Sequence, residues 1–139
     1  MLSEWAVAAW LPDDCVECVT ADHITNIPDW QLRLDENMRF AAIASHEDAV
    51  LAEGFLGLGP GEYRSELELE LAKLASAHPG RFNRFVFDST LHTTTAADSQ
   101  AGAPEGVATF DETRVGGTSV AQWLESLLDD DPAFGDLVE

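Results

Sequence analysis

Basic residues are what this chain has least of. One lysine, Lys73, and six arginines stand against 26 acidic residues in a chain of 139, leaving a formal charge of −19. A surface so one-sided repels nucleic acid and anionic membranes, which argues against direct contact with either. Long apolar runs are missing too: the stretch around Trp5–Leu11 is far too short to span a bilayer. Met1-Leu2-Ser3-Glu4 lacks the basic start of a secretory signal. Together these absences predict a soluble, cytoplasmic protein. Cysteine is confined to Cys15 and Cys18, too few and too close for a disulfide framework.

What is present is a globular composition. Hydrophobic residues make up 45%, mean hydropathy is −0.09, and four Trp, seven Phe and one Tyr separate the chain from acidic disordered tails. The length suits one domain with its own core, and no repeat or low-complexity linker divides it. Residues 1–139 therefore read as a single acidic domain.

A first helix is predicted over Glu4–Trp10, capped by Ser3 and ended by Leu11-Pro12. Cys15–Thr20, Trp30–Leu34 and Met38–Ala44 read as strands, the last two joined by a hairpin turn at Asp35-Glu36-Asn37. Ser45 and Asp48 resemble a cap before a short helix ending at Gly54, and glycine-rich Gly54–Gly61 reads as a loop. Residues 65–78 alternate like a strand, yet Leu67, Leu71 and Leu74 fall on one helical face behind Ser65 and Glu68, so a helix is expected. Phe82–Asp88 is the clearest strand, with Leu91–Ala96 and Val107–Thr113 as further ones. A last helix opens with Ser119 and Gln122 as a capping box and carries Val120, Trp123, Leu124 and Leu127 as its apolar stripe. Hairpin-length connections then predict an α+β domain, with helices on one face of a mostly antiparallel twisted sheet.

Candidate chemistry is sparse. Cys15, Cys18 and His23 have the spacing of the first three ligands of a zinc knuckle, but Pro28 stands near where a fourth cysteine belongs, and a structural site needs four ligands. Asp29 or His46 could complete it, but two half-buried thiols on a strand are favoured, with no metal and no cofactor. The loop at Gly54–Gly61 is followed by Glu62, Tyr63 and Arg64 rather than the Lys-Ser/Thr a phosphate loop requires. His46 and His78 are read as a helix-start and a helix-end histidine, with no functional role.

His23-Ile24-Thr25 and His92-Thr93-Thr94 form two H-x-T triplets. As a pair they resemble the signature of 2H phosphoesterases. That resemblance implies strand-borne His23 and His92 as general acid and base, with Thr25 and Thr94 holding phosphoryl oxygens of a cyclic phosphate ester.

Leu11-Pro12-Asp13-Asp14 and Thr118-Ser119-Val120-Ala121-Gln122-Trp123-Leu124 resemble the SUKH superfamily of bacterial immunity proteins, which have a Leu-Pro turn after the first helix and a Ser-led closing helix. The resemblance implies an α+β domain that neutralises a toxin. The charge leads to the same class: a non-enzymatic acidic antagonist, akin to immunity proteins and phage-type nucleic-acid mimics, filling the cationic groove of a nuclease or other basic protein. Partner-binding candidates are Glu62, Glu66, Glu70, Asp129, Asp130 and Asp131, with Tyr63 and Trp30 as aromatic anchors. The alternative from composition is a salt-adapted structural domain or a homo-oligomer subunit.

Overall fold

The computed structural model describes residues 11–20, 23–92, 94–95 and 108–139. The helix expected at Glu4–Trp10 lies outside them. The described chain runs through α1 (Val16–Thr20), α2 (Asn26–Leu34), β1 (Phe40–Ser45), a π-helix (Val50–Leu56), α3 (Pro60–Ala77) and β2 (Phe82–Phe87). It continues through β3 (Thr94–Thr95), β4 (Ala108–Thr109), β5 (Arg114–Val115), β6 (Thr118–Ser119), α4 (Val120–Leu128) and β7 (Leu137–Val138).

The α+β composition stands, but the expected antiparallel sheet does not. The main sheet has three strands in the order β1-β2-β7, all parallel, with Phe40 opposite Phe82, Ser45 opposite Phe87, and Phe85 opposite Leu137. Antiparallel pairing is confined to the short hairpin of β5 and β6, while β3 and β4 pair in parallel. Parallel neighbours cannot be joined by a tight turn, and the π-helix and α3 provide the crossover from β1 to β2.

Helices cover both faces of the sheet rather than one. Phe82 and Val86 pack with Leu32 of α2 and Leu71 and Leu74 of α3. The alternate positions Phe85 and Phe87 pack with Val120 and Trp123 of α4 and with Val115. Successive side chains of a strand point to opposite faces, so these are two cores separated by the sheet. Coverage on both sides explains why β2 reads as nearly continuous apolar sequence.

Two predicted strands are helices. Trp30–Leu34 alternates in sequence, but five residues cannot separate the two periods. Pro28 sits in the first turn of α2, where its missing N–H costs nothing, and Asp29 pairs with Arg33 one turn on at 3.2 Å. The turn at Asp35-Glu36-Asn37 consequently joins a helix to a strand, with Asn37 N–H bonded to Asp35 Oδ1. Cys15–Thr20 is a turn of helix, not a strand. Its cysteines are fully buried and joined as a disulfide, not free thiols.

Other expectations hold. The helix over 65–78 is part of α3, which starts earlier, with Pro60 in its first turn and Glu62 Oε2 accepting from Gly59 N–H at 3.1 Å. Ser65 does not cap it, but donates to Gly61 O within the helix. Ser119 accepts from Gln122 N–H and Gln122 Oε1 accepts from Ser119 N–H, the predicted capping box of α4. His78 ends α3 as read, and its Nε2 lies 2.7 Å from Asp29 Oδ1. The loop predicted at Gly54–Gly61 shrinks to three residues, because the π-helix continues through Leu56 and α3 begins at Pro60. Gly57 turns the chain there at φ +63, a conformation glycine adopts freely, and Leu58 N–H returns to Ala52 O. Among the described residues no helix is long and apolar enough to cross a membrane.

Candidate functional site

The π-helix, α3 and the turn before α2 enclose a cavity of about 230 Å³. Leu51, Leu56 and Leu58 line it from the π-helix side, and Leu67 and Leu71 from α3. Ile24 and Phe55 also line it and are 56% and 52% exposed, so apolar surface continues from the interior to solvent. A π-helix is an uncommon element found often at functional sites, and here its turn presents Leu51 and Phe55 to the same hollow. Glu66 and Glu70 add carboxylates to an otherwise apolar lining.

One end of the cavity is fixed by a short polar relay. Thr25 Oγ1 donates to Glu70 Oε2 at 3.1 Å and lies 2.7 Å from His23 Nδ1. A hydroxyl has one proton, so when Thr25 gives it to Glu70 the imidazole Nδ1–H must be the donor to Thr25. With Nδ1 bare, the Thr25 N–H at 3.3 Å is its donor instead. The hydrogen bond from Lys73 does most to hold the Glu70 carboxyl below the ordinary carboxylate range, helped by Thr25 and His23. The relay therefore ends on a charged acceptor already engaged by several donors, and its effect is to pin the His23–Thr25 turn, and Ile24 with it, against α3.

Tyr63 closes the other side. It is buried, and burial, with a smaller contribution from the Asp48 charge, pushes its phenol up to about 12. Asp48 is itself buried, accepts from Leu51 N–H at the start of the π-helix, and meets His92 Nδ1 at 2.9 Å.

The carboxyl ends of the parallel strands, where open sheets commonly bind ligands, hold a second charged group. His46 is fully buried, with Nδ1 2.7 Å from Asp88 Oδ1 and Nε2 3.2 Å from Glu68 Oε1. The Glu68 approach does not satisfy hydrogen-bond geometry, so it is a contact of charges alone. Arg64 bridges Glu68 and Asp88. The hydrogen bond from His46 is the main reason that the Asp88 carboxyl lies below its usual range. The group neutralises itself.

The structure divides the predicted partner-binding set. Tyr63, Glu66 and Glu70 line the cavity, and Glu62 lies one turn from Glu66 on α3. Asp129, Asp130 and Asp131 end α4, which packs on the opposite face of the sheet. Asp130 is paired with Arg39 at 2.6 Å, and Asp131 accepts from Ala133 N–H. Tyr63 is too buried to serve as an exposed anchor, and Trp30 is half-buried on α2. The two H-x-T histidines do not share a site: His23 lies in a turn and joins Thr25 and Glu70, whereas His92 joins Asp48. His46 follows β1 rather than starting a helix. The disulfide occupies both cysteine sulfurs, and among the described residues no group of three or more His, Cys, Asp or Glu is arranged to hold a metal ion.

Sequence reasoning missed the apolar lining. Its trace was Phe55, Leu56 and Leu58 set among glycines, an apolar run in what read as a loop, where polar residues are the rule. Comparison with protein-family models, with curated proteins and with solved structures returns no match, so the functional reading rests on the chain's own geometry.

Proposed function

We propose that this chain is a non-enzymatic acidic antagonist that binds and neutralises a basic protein, such as a nuclease or another nucleic-acid-binding protein. The observation that carries this reading is that every one of the seven basic side chains is engaged within the fold. Arg33, Arg39, Arg64, Lys73 and Arg84 pair with carboxylates. Arg81 and Arg114 donate to backbone carbonyls. Exposed Glu47, Glu53, Glu66, Glu125 and Asp129 make no ion pair within the described residues. The positive charge is thus turned inward, while the surplus negative charge faces solvent.

Such a field accelerates encounter with a cationic surface by roughly 10–10³-fold at low ionic strength, and the advantage fades as salt screens it. A cationic groove built for phosphates would meet carboxylates in their place. The resemblance of two segments to SUKH immunity proteins belongs to the same reading. Carboxylates on both sides of the sheet favour a second reading, in which the charge is an adaptation to concentrated salt.

The test is inhibition of a panel of purified basic nucleases at 50 mM and 500 mM NaCl, beside thermal melts in low and multimolar salt. Inhibition at low salt by a chain that is already folded there supports the antagonist. A fold that forms only in molar salt, with no nuclease inhibited, overturns it in favour of salt adaptation.

A further inference from the structure

We infer that the cavity beside α3 is the specificity pocket of this surface, taking one large apolar side chain of the partner while a cation next to that side chain in the partner pairs with Glu66. The inference rests on the antagonist reading and names the feature of the partner that the site selects.

Size argues first. An apolar cavity of about 150 Å³ accepts benzene, whereas pockets for small-molecule ligands generally run to about 300–1,000 Å³. At about 230 Å³ this cavity matches a single aromatic or leucyl side chain better than a whole metabolite. Its apolar walls hold no group that would fix the orientation of a polar ligand. Partly exposed Ile24 and Phe55 extend the hydrophobic surface outward, as expected where a partner's side chain enters rather than where a core is closed.

Charge argues second, and it discriminates between the two acids at the site. Glu70 already holds Lys73, Thr25 and His23, so a further cation there would meet the Lys73 ammonium. Glu66 is exposed and lines the cavity without an ion pair, and Glu62 follows one helical turn away. A basic residue flanking the inserted anchor finds Glu66 on one side of the opening. The pairing of a buried apolar anchor with a charge at its edge is the usual anatomy of a binding hot spot. Electrostatics alone would accept any polycation, so the anchor supplies selectivity among basic partners.

The probes are two labelled peptides of equal charge, Lys-Arg-Lys-Trp-Lys-Arg-Lys and the same sequence with Ala in place of Trp. Their binding to the intact protein is read by fluorescence anisotropy at 50 mM NaCl. The Trp peptide should bind at least about tenfold more tightly than the Ala peptide. Ile24→Ser should remove most of that advantage, and Glu66→Gln should weaken both peptides about threefold. Both positions are exposed, so urea midpoints should stay at the wild-type value, which separates lost binding from lost folding. Equal, salt-sensitive binding of the two peptides overturns the pocket inference and leaves the antagonist reading standing. Failure of both peptides to bind overturns the pocket inference and counts against the acidic surface as a binding face. A concentration-dependent dimer abolished by Ile24→Ser would assign the pocket to a second copy of this chain and overturn the inference as well.

Discussion

Thr25 and Glu70, 45 residues apart in the chain, are joined by a 3.1 Å hydrogen bond from the threonine hydroxyl to the carboxylate. That bond fastens the turn before α2 to the middle of α3 and thereby sets one wall of the cavity.

Replacing Thr25 with valine keeps the shape and removes the hydroxyl. The expected cost is about 1 kcal/mol, the usual worth of one such bond, read as a lower urea midpoint at pH 7. Because Glu70 is held below the ordinary carboxylate value of 4.5, its contribution is fully present above that pH. It is lost as the pH falls through the lowered folded value, since the unfolded chain takes up protons first. Glu70→Gln should therefore flatten the loss of stability on acidification. An unchanged slope between pH 5 and pH 3 would contradict the assignment.

Tyr63 is the chain's single tyrosine, so a spectrophotometric titration reads it alone. Its absorbance change should be centred near 12 in the folded protein, where burial holds the neutral phenol. A group raised in this way stabilises the fold fully below the ordinary value of 10, and that contribution disappears as the pH rises through the folded value. A titration centred at 10 with the protein still folded would mean that Tyr63 is solvated.

Trp123 joins the core on the α4 face to the last strand. Its ring lies 5.5 Å from Phe85 and 4.9 Å from Phe134, and its indole N–H donates to Gly135 O at 2.7 Å. Trp123→Phe keeps an aromatic ring and loses the donor, for a cost of about 1 kcal/mol. Trp123→Ala leaves a cavity and should cost about 3–5 kcal/mol. Chemical denaturation of both variants should separate these values, and equal losses would mean that the ring, not the hydrogen bond, carries the effect.

The disulfide between Cys15 and Cys18 closes a very short loop, so it constrains the unfolded chain by only about 2 kcal/mol on the chain-entropy account. Both residues are fully buried. Alkylation followed by mass spectrometry should accordingly label neither cysteine in the native protein, and both after reduction in denaturant. Labelling of the native protein without a reductant would show that the thiols are free.

The sequence by itself determined the elements whose signals are local. The Ser119–Gln122 capping box, the leucine spacing of α3 and the aromatic run of β2 each draw on residues within one or two turns of one another, and each formed where it was read. The charge, the shortage of lysine and the length were legible in the same way. Sheet direction was not, because it depends on what lies between strands. Reading Trp30–Leu34 as a strand supplied a hairpin that does not exist, and with it an antiparallel sheet.

The site divides along the same line. Glu62, Glu66 and Glu70 share one side of α3 by helical spacing alone, and that much can be counted from the sequence. Tertiary structure decided that Leu51 and Leu58 face them, that Thr25 reaches Glu70, and that Asp129, Asp130 and Asp131 fall on the other side of the sheet. Periodicity fixes which way a side chain points within its own element. Which surface it then meets is set by how whole elements pack to bury apolar area, and that is a property of the assembled chain.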